Sequence, residues 1–177
     1  MASELTEIIR MHEGALLRYA ARLLRDHDAA QDAVQEAFIR YVRYLQKPGC
    51  KDIELPAAWL YRTTRNLCLD RLRLLKTKME VLVDELPEHP ELSESPEHVM
   101  AKNEEHEIVR TLINKLEPRD REVLILKVEH GKTYKEIAEI MKLSVGNVGF
   151  ILHNTIKRLQ QERQETIADG RAAAISE

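Results

Sequence analysis

The chain has 177 residues, which is room for one domain or two small ones. Lys and Arg number 27 against 30 Asp and Glu, so the net charge is −3 and the pI about 6.2, the opposite of the basic footprint of a simple nucleic-acid binder. No apolar run approaches the ~18 residues of a membrane span. The first ten residues lack the basic-then-apolar pattern of a signal peptide. Cys50 and Cys68 have neither CxxC spacing nor a second pair, which argues against a disulfide scaffold and against a Cys-rich zinc site. The expectation is a reduced, cytoplasmic protein without a membrane segment.

Helical spacing predicts helices over 4–25, 29–46 and 56–78, then over 103–116, 119–129, 134–141 and 145–163. No alternating strand pattern and no repeat interrupts them, so the fold is all-α. Charge divides the chain. Residues 1–79 carry 14 basic and 10 acidic groups, and residues 108–177 carry 12 and 10. Residues 80–107 carry 10 acids and one base, Lys102. That middle segment also holds Pro87, Pro90 and Pro96, so it reads as an extended, self-repelling linker. It is either a solubilising spacer or a strand that imitates nucleic acid inside a basic channel. The expected organisation is a helical domain over 1–79, an acidic linker over 80–107, a second helical domain over 108–165 and a frayed tail over 166–177.

The helix at 29–46 has an apolar arc of Ala30, Val34, Ala37, Phe38, Tyr41, Tyr44 and Leu45. Ile39 stands on the far side among Asp32, Gln35, Glu36, Arg40 and Arg43, a hint of a protein contact. The segment 46–57, with Pro48, Gly49 and Pro56, is a loop. Pro56 then opens the next helix in the first-turn position that proline prefers.

That helix has two faces. At about 100° per residue, Trp59, Arg62, Arg65, Asn66, Leu69, Arg73 and Lys76 share one side. Leu60, Leu67 and Leu74 lie opposite, beside Tyr61, Cys68 and Leu75. Cations for phosphates, an aromatic stacking platform and an amide for a base edge suit nucleic acid with exposed bases. A solvated basic face with a partly buried Trp gives the same pattern. Arg71 and Lys78 fall on the apolar side, where they either snorkel or pair with neighbouring acids.

In the second lobe, Ile137, Ala138 and Met141 line one short helix, and Leu143 and Ser144 make a turn with Ser144 as N-cap. Val145, Val148, Ile151, Leu152, Ile156 and Leu159 line the helix that follows. This is a helix-turn-helix pattern, whose second helix enters the DNA major groove. The outward positions of that helix are Asn147, Gly149, Phe150, His153, Asn154, Lys157 and Arg158.

Three stretches together resemble a bacterial RNA polymerase sigma factor of the sigma-70 family, in its small extracytoplasmic-function (ECF) group. DAAQDAVQEAFIRYVR (28–43) is similar to the region 2 helix that binds core polymerase. PAAWLYRTTRNLCLDRLR (56–73) is similar to the region 2 helix that opens and reads the −10 element. LEPRDREVLILKVEHGKTYKEIAEIMKLSVGNV (116–148) is similar to region 4, which reads the −35 element. The resemblance implies that Asp32, Gln35, Glu36, Ile39 and Arg43 dock on core polymerase, whose clamp and flap surfaces are the expected partners. It implies −10 contacts from Trp59, Arg62, Arg65, Asn66, Arg73 and Lys76, with the loop at 46–57 capturing a flipped base. It implies −35 contacts from Ser144, Asn147, Gly149, Phe150, His153, Asn154, Lys157 and Arg158. The acidic linker resembles the segment threaded through the polymerase. Promoter DNA is the second partner, and an anti-sigma factor is common in the family.

Two features depart from the family pattern. Lys142 stands where the turn usually has Gly, and Gly149, Phe150 and Ile151 stand where Lys, Ser and Arg are more usual. The alternative reading is a helix-turn-helix regulator that acts without polymerase, which would have no use for the Trp59 to Lys76 face. No enzyme is expected: a phosphate-binding Gly loop and a nucleophile–base pair are both missing. No cofactor or metal is expected either, since His89, His98 and His106 have irregular spacing and match no ligand motif.

Overall fold

The computed structural model describes the backbone of residues 2–49, 53–82 and 104–175, and the side chains of 6–49, 53–77 and 108–166. Every regular element among the described residues is helical, as expected. The helices are α1 (Ala2–Leu24), α2 (His27–Leu45), α3 (Pro56–Leu82), α4 (Glu104–Asn114), α5 (Pro118–Val128), α6 (Tyr134–Met141) and α7 (Val145–Ile175). They form two compact units, α1 to α3 and α4 to α7. Most of the acidic segment, residues 83–103, lies outside the described residues, as do Cys50, Lys51 and Asp52 of the loop. None of the described helices is long and apolar enough to cross a membrane.

In the first unit all three helices pack against one another. The α1–α2 turn is tight because Arg25 adopts a left-handed backbone (φ 55°) and its N–H donates to the Ala21 carbonyl at 2.8 Å. Asp26 then caps α2, accepting from the Ala29 N–H at 3.0 Å, so the helix begins two residues earlier than its apolar spacing predicts. Leu16, Tyr19, Val34, Tyr41, Leu60 and Tyr61 are buried between the helices. The Tyr19 and Tyr61 rings pack with centroids 5.2 Å apart.

The α3 apolar side holds for Leu60, Tyr61 and Cys68 but not at its far end. Leu74 is 64% exposed and Leu75 49%. The reason is length. Arg71 already lies level with Asp32, near the start of α2, so the following turns of α3 run past the helix that would cover them.

In the second unit α7 packs against α4, α5 and α6. Leu112, Val123, Leu126, Ile137, Ile140, Val148 and Leu152 fill the interior. The Arg121 guanidinium donates to the carbonyls of Asn114 and, at 2.8 Å, Leu116, which ties the end of α4 to α5. Ile151 is buried as predicted, whereas Val145 and Ile156, predicted inward, are exposed. The backbone of α7 continues to Ile175, twelve residues beyond the predicted end at 163.

Candidate nucleic-acid interface

Three surfaces carry the predicted contacts. On α2, Asp32, Gln35, Ile39 and Arg43 form one exposed strip along the helix. Ile39 is 38% exposed with no need of the unit's own interior. Glu36 lies at the strip's edge, where its carboxylate accepts from Arg40 at 2.8 Å. Asp32 is engaged across the helices: its Oδ2 lies 3.4 Å from Arg71 of α3. Arg71 therefore pairs with an acid rather than snorkelling, in an exposed contact that adds little to stability.

On α3, Asn66, Arg73 and Lys76 are exposed, while Arg62 and Arg65 are half-buried. All five project from the side predicted. Arg73 contacts Asp70 at 3.2 Å, an exposed pair that a phosphate can replace at small cost. Trp59 is half-buried and packs against its neighbours. Its ring stacks edge-on against Tyr41, centroids 5.4 Å apart, and lies 5.9 Å from Tyr44. These rings join α2 to the start of α3, so Trp59 belongs partly to the packing.

On the second unit, the helix-turn-helix forms as the sequence predicts. Thr133 and Glu136 make a reciprocal capping box at the start of α6. The Glu136 N–H donates to Thr133 Oγ1 at 3.2 Å, and the Thr133 N–H donates to the Glu136 carboxylate at 2.8 Å. Partial burial pushes the Glu136 carboxyl up. The Thr133 hydrogen bonds and the nearby Lys132 outweigh that, and the group sits below its ordinary value. Lys142 makes the turn in a left-handed conformation (φ 54°), where this chain does without the usual glycine. Ser144 caps α7 through a hydrogen bond accepted from the Asn147 N–H at 3.1 Å.

The front of α7 presents Asn147, Phe150, His153, Asn154, Lys157 and Arg158 to solvent. Arg158 also lies 3.5 Å from Glu162. Gly149 differs from its predicted neighbours. A Cβ built there would lie 3.6 Å from the Tyr134 ring, so the bare backbone of Gly149 faces a protein side chain. Tyr134 in turn lies under Lys127, whose Nζ is 5.3 Å from the ring centroid. Sequence spacing missed Tyr134 and Lys127, because each reaches its partner across two helices. The one local signal was Thr133-x-x-Glu136, a readable capping box. Among the described residues no group of three or more His, Cys, Asp or Glu could hold a metal ion.

The family model for sigma-70 region 2 matches residues 8–77, and that for sigma-70 region 4 matches residues 106–159. An RNA polymerase sigma-E factor of Streptomyces avermitilis is 30% identical over 169 residues, covering 96% of this chain and 90% of the relative. The chain belongs to the sigma-70 family. The ECF sigma factor SigM of Bacillus subtilis is 25% identical, covering 87% of this chain and 91% of its own length. Among solved structures, the sigma factor RpoE of Bartonella quintana, crystallised with the anti-sigma factor NepR, shares the fold. Its TM-score is 0.63 at 19% identity, covering 91% of this chain and 97% of that one. The chain is thus an ECF sigma factor, the subunit that joins core RNA polymerase and directs initiation at promoters. In this sigma factor the α2 strip and the α3 face fall within region 2, and the helix-turn-helix falls within region 4.

Proposed function

We propose that region 2 docks on core polymerase through Asp32, Gln35, Glu36, Ile39 and Arg43, and that α3 opens and reads the −10 element. Arg62, Arg65, Arg73 and Lys76 hold phosphates, Asn66 meets a base edge, and Trp59 supports the face and contributes aromatic surface to an exposed base. Region 4 contacts the −35 element through Ser144, Asn147, Phe150, His153, Asn154, Lys157 and Arg158. Gly149, half-buried beside the Tyr134 ring, joins these contacts through its backbone. The protein works in the cytoplasm, carries no catalytic chemistry of its own and uses no cofactor. An anti-sigma factor that covers the exposed faces keeps it inactive.

The single observation behind this reading is a basic, amide-bearing α3 face and a helix-turn-helix in one chain. A helix-turn-helix regulator acting alone has no use for the first of these. Run-off transcription with purified core polymerase and a matched promoter is the test. Specific transcripts are expected only with both proteins present. Footprinting of duplex DNA by the free chain, with no binding to core, would overturn the reading.

A further inference from the structure

The front of α7 is short of cations and carries an aromatic ring in water. Between Val145 and Ile156 the helix has no Lys or Arg. Its first cation, Lys157, comes about 18 Å along the axis from Val145. The N-terminal turns of a recognition helix are those that reach base edges, so the usual bidentate reader of guanine is missing there. In its place stands Phe150, 67% exposed, one of the largest apolar surfaces that the described residues leave in water. Val145 is 49% exposed at the start of the same helix. Tyr134 lies against the neighbouring strip over Gly149, which adds a second ring to this end of the helix. Asn147 and Asn154 lie three residues before and four residues after Phe150, so both share its face of the helix.

Major-groove base edges offer donors, acceptors and one apolar group, the thymine 5-methyl. A phenylalanine ring can be satisfied only by the last of these. An asparagine beside it matches the adenine of the same or the adjacent pair. We propose that Phe150 reads thymine methyl groups in the −35 element, with Asn147 or Asn154 on adenine, so that this factor recognises A·T pairs where an arginine would select guanine. The proposal rests on the assignment of region 4 to the −35 element.

The test uses holoenzyme assembled from core polymerase and the full chain. Promoter duplexes randomised upstream of the −10 element are selected for binding, and the enriched duplex is remade with deoxyuracil replacing each thymine in turn. That change removes the methyl and leaves base pairing intact. The expected result is an enriched upstream element rich in A·T. One or two of its thymines should weaken binding about fourfold when demethylated, the loss expected for one buried methyl. Phe150→Ala holoenzyme should bind the thymine and deoxyuracil duplexes equally. An enriched upstream element that tolerates deoxyuracil at every position would overturn the proposal and leave the −35 assignment standing. Full discrimination retained by Phe150→Ala would do the same and assign the methyl contact to another side chain. Absence of any enriched or protected upstream element would overturn both.

Discussion

Thr64 is buried in the middle of α3, and its hydroxyl finds no hydrogen-bond partner there. A buried hydroxyl that gives up water without replacement destabilises the fold. Thr64→Val keeps the shape and removes the orphan group. It is expected to stabilise the protein by about 1 kcal/mol, read as a higher urea midpoint at unchanged slope. A lower midpoint would mean that the hydroxyl is engaged in the folded protein. Trp59 poses a different problem at this scale. Because its ring packs on Tyr41 and Tyr44, Trp59→Ala removes packing and any base stacking together. Asn66 and Arg73 are exposed and separate the two. Asn66→Ala with Arg73→Ala is expected to slow promoter opening at least tenfold while core binding and melting temperature stay at wild-type values. Permanganate reactivity of the −10 thymines reads the first, and competition for core polymerase reads the second. Equal loss of core binding would place these residues in the docking surface instead.

At the scale of elements, α6 is only 8 residues long and depends on its cap. The Glu136 carboxylate is stabilised in the folded protein, so its folded pKa lies below the ordinary 4.5. A lowered pKa contributes stability that is complete above the unfolded value and is lost as pH falls through the folded one. Glu136→Ala is therefore expected to cost about 1 kcal/mol at neutral pH. The gap between variant and wild type should close as pH falls below 4.5, because the wild type loses the same contribution. Chemical denaturation at pH 7 and pH 3.5 checks this, and a gap that is constant with pH would assign the effect to contacts that do not depend on the carboxylate's charge, since alanine itself favours the helix. All seven described helices were legible, because apolar period, Pro56 and Ser144 are local signals. What escaped was mostly set by neighbours. The start of α2 follows from the Asp26 cap, a local signal that apolar spacing alone passes over, but the exposure of Leu74 and Leu75 depends on where α2 begins. Gly149 gained its meaning from Tyr134, fifteen residues earlier in the chain. The turn at Lys142 closed without glycine because the N–H groups of Lys142 and Leu143 both reach the Ala138 carbonyl, bonds that fix the left-handed residue between them.

At the scale of the whole molecule, the net charge of −3 comes from the ten acids of residues 80–107, four of which stand at the end of α3 (Glu80) and the start of α4 (Glu104, Glu105 and Glu107). The rest of the chain, residues 1–79 and 108–177, is only mildly basic and offers DNA few cations, so the ten acids set the long-range field of the free protein. Replacing those ten acids by their amides changes the net charge from −3 to +7. The variant keeps every described surface on α2, α3 and α7. Its affinity for random duplex DNA, without polymerase, is expected to rise at least tenfold at low salt. The rise should shrink towards physiological ionic strength, where the Debye length falls to about 8 Å. Fluorescence anisotropy across a salt titration measures both. The same variant separates field from contact. If the acids act only through charge, binding to core polymerase is unaffected and DNA binding alone changes. If core binding also weakens, the acidic segment makes contacts within the polymerase, as the family resemblance implies. An unchanged affinity for duplex DNA at every salt concentration would mean that the rest of the chain, and not these ten acids, keeps the free factor off DNA.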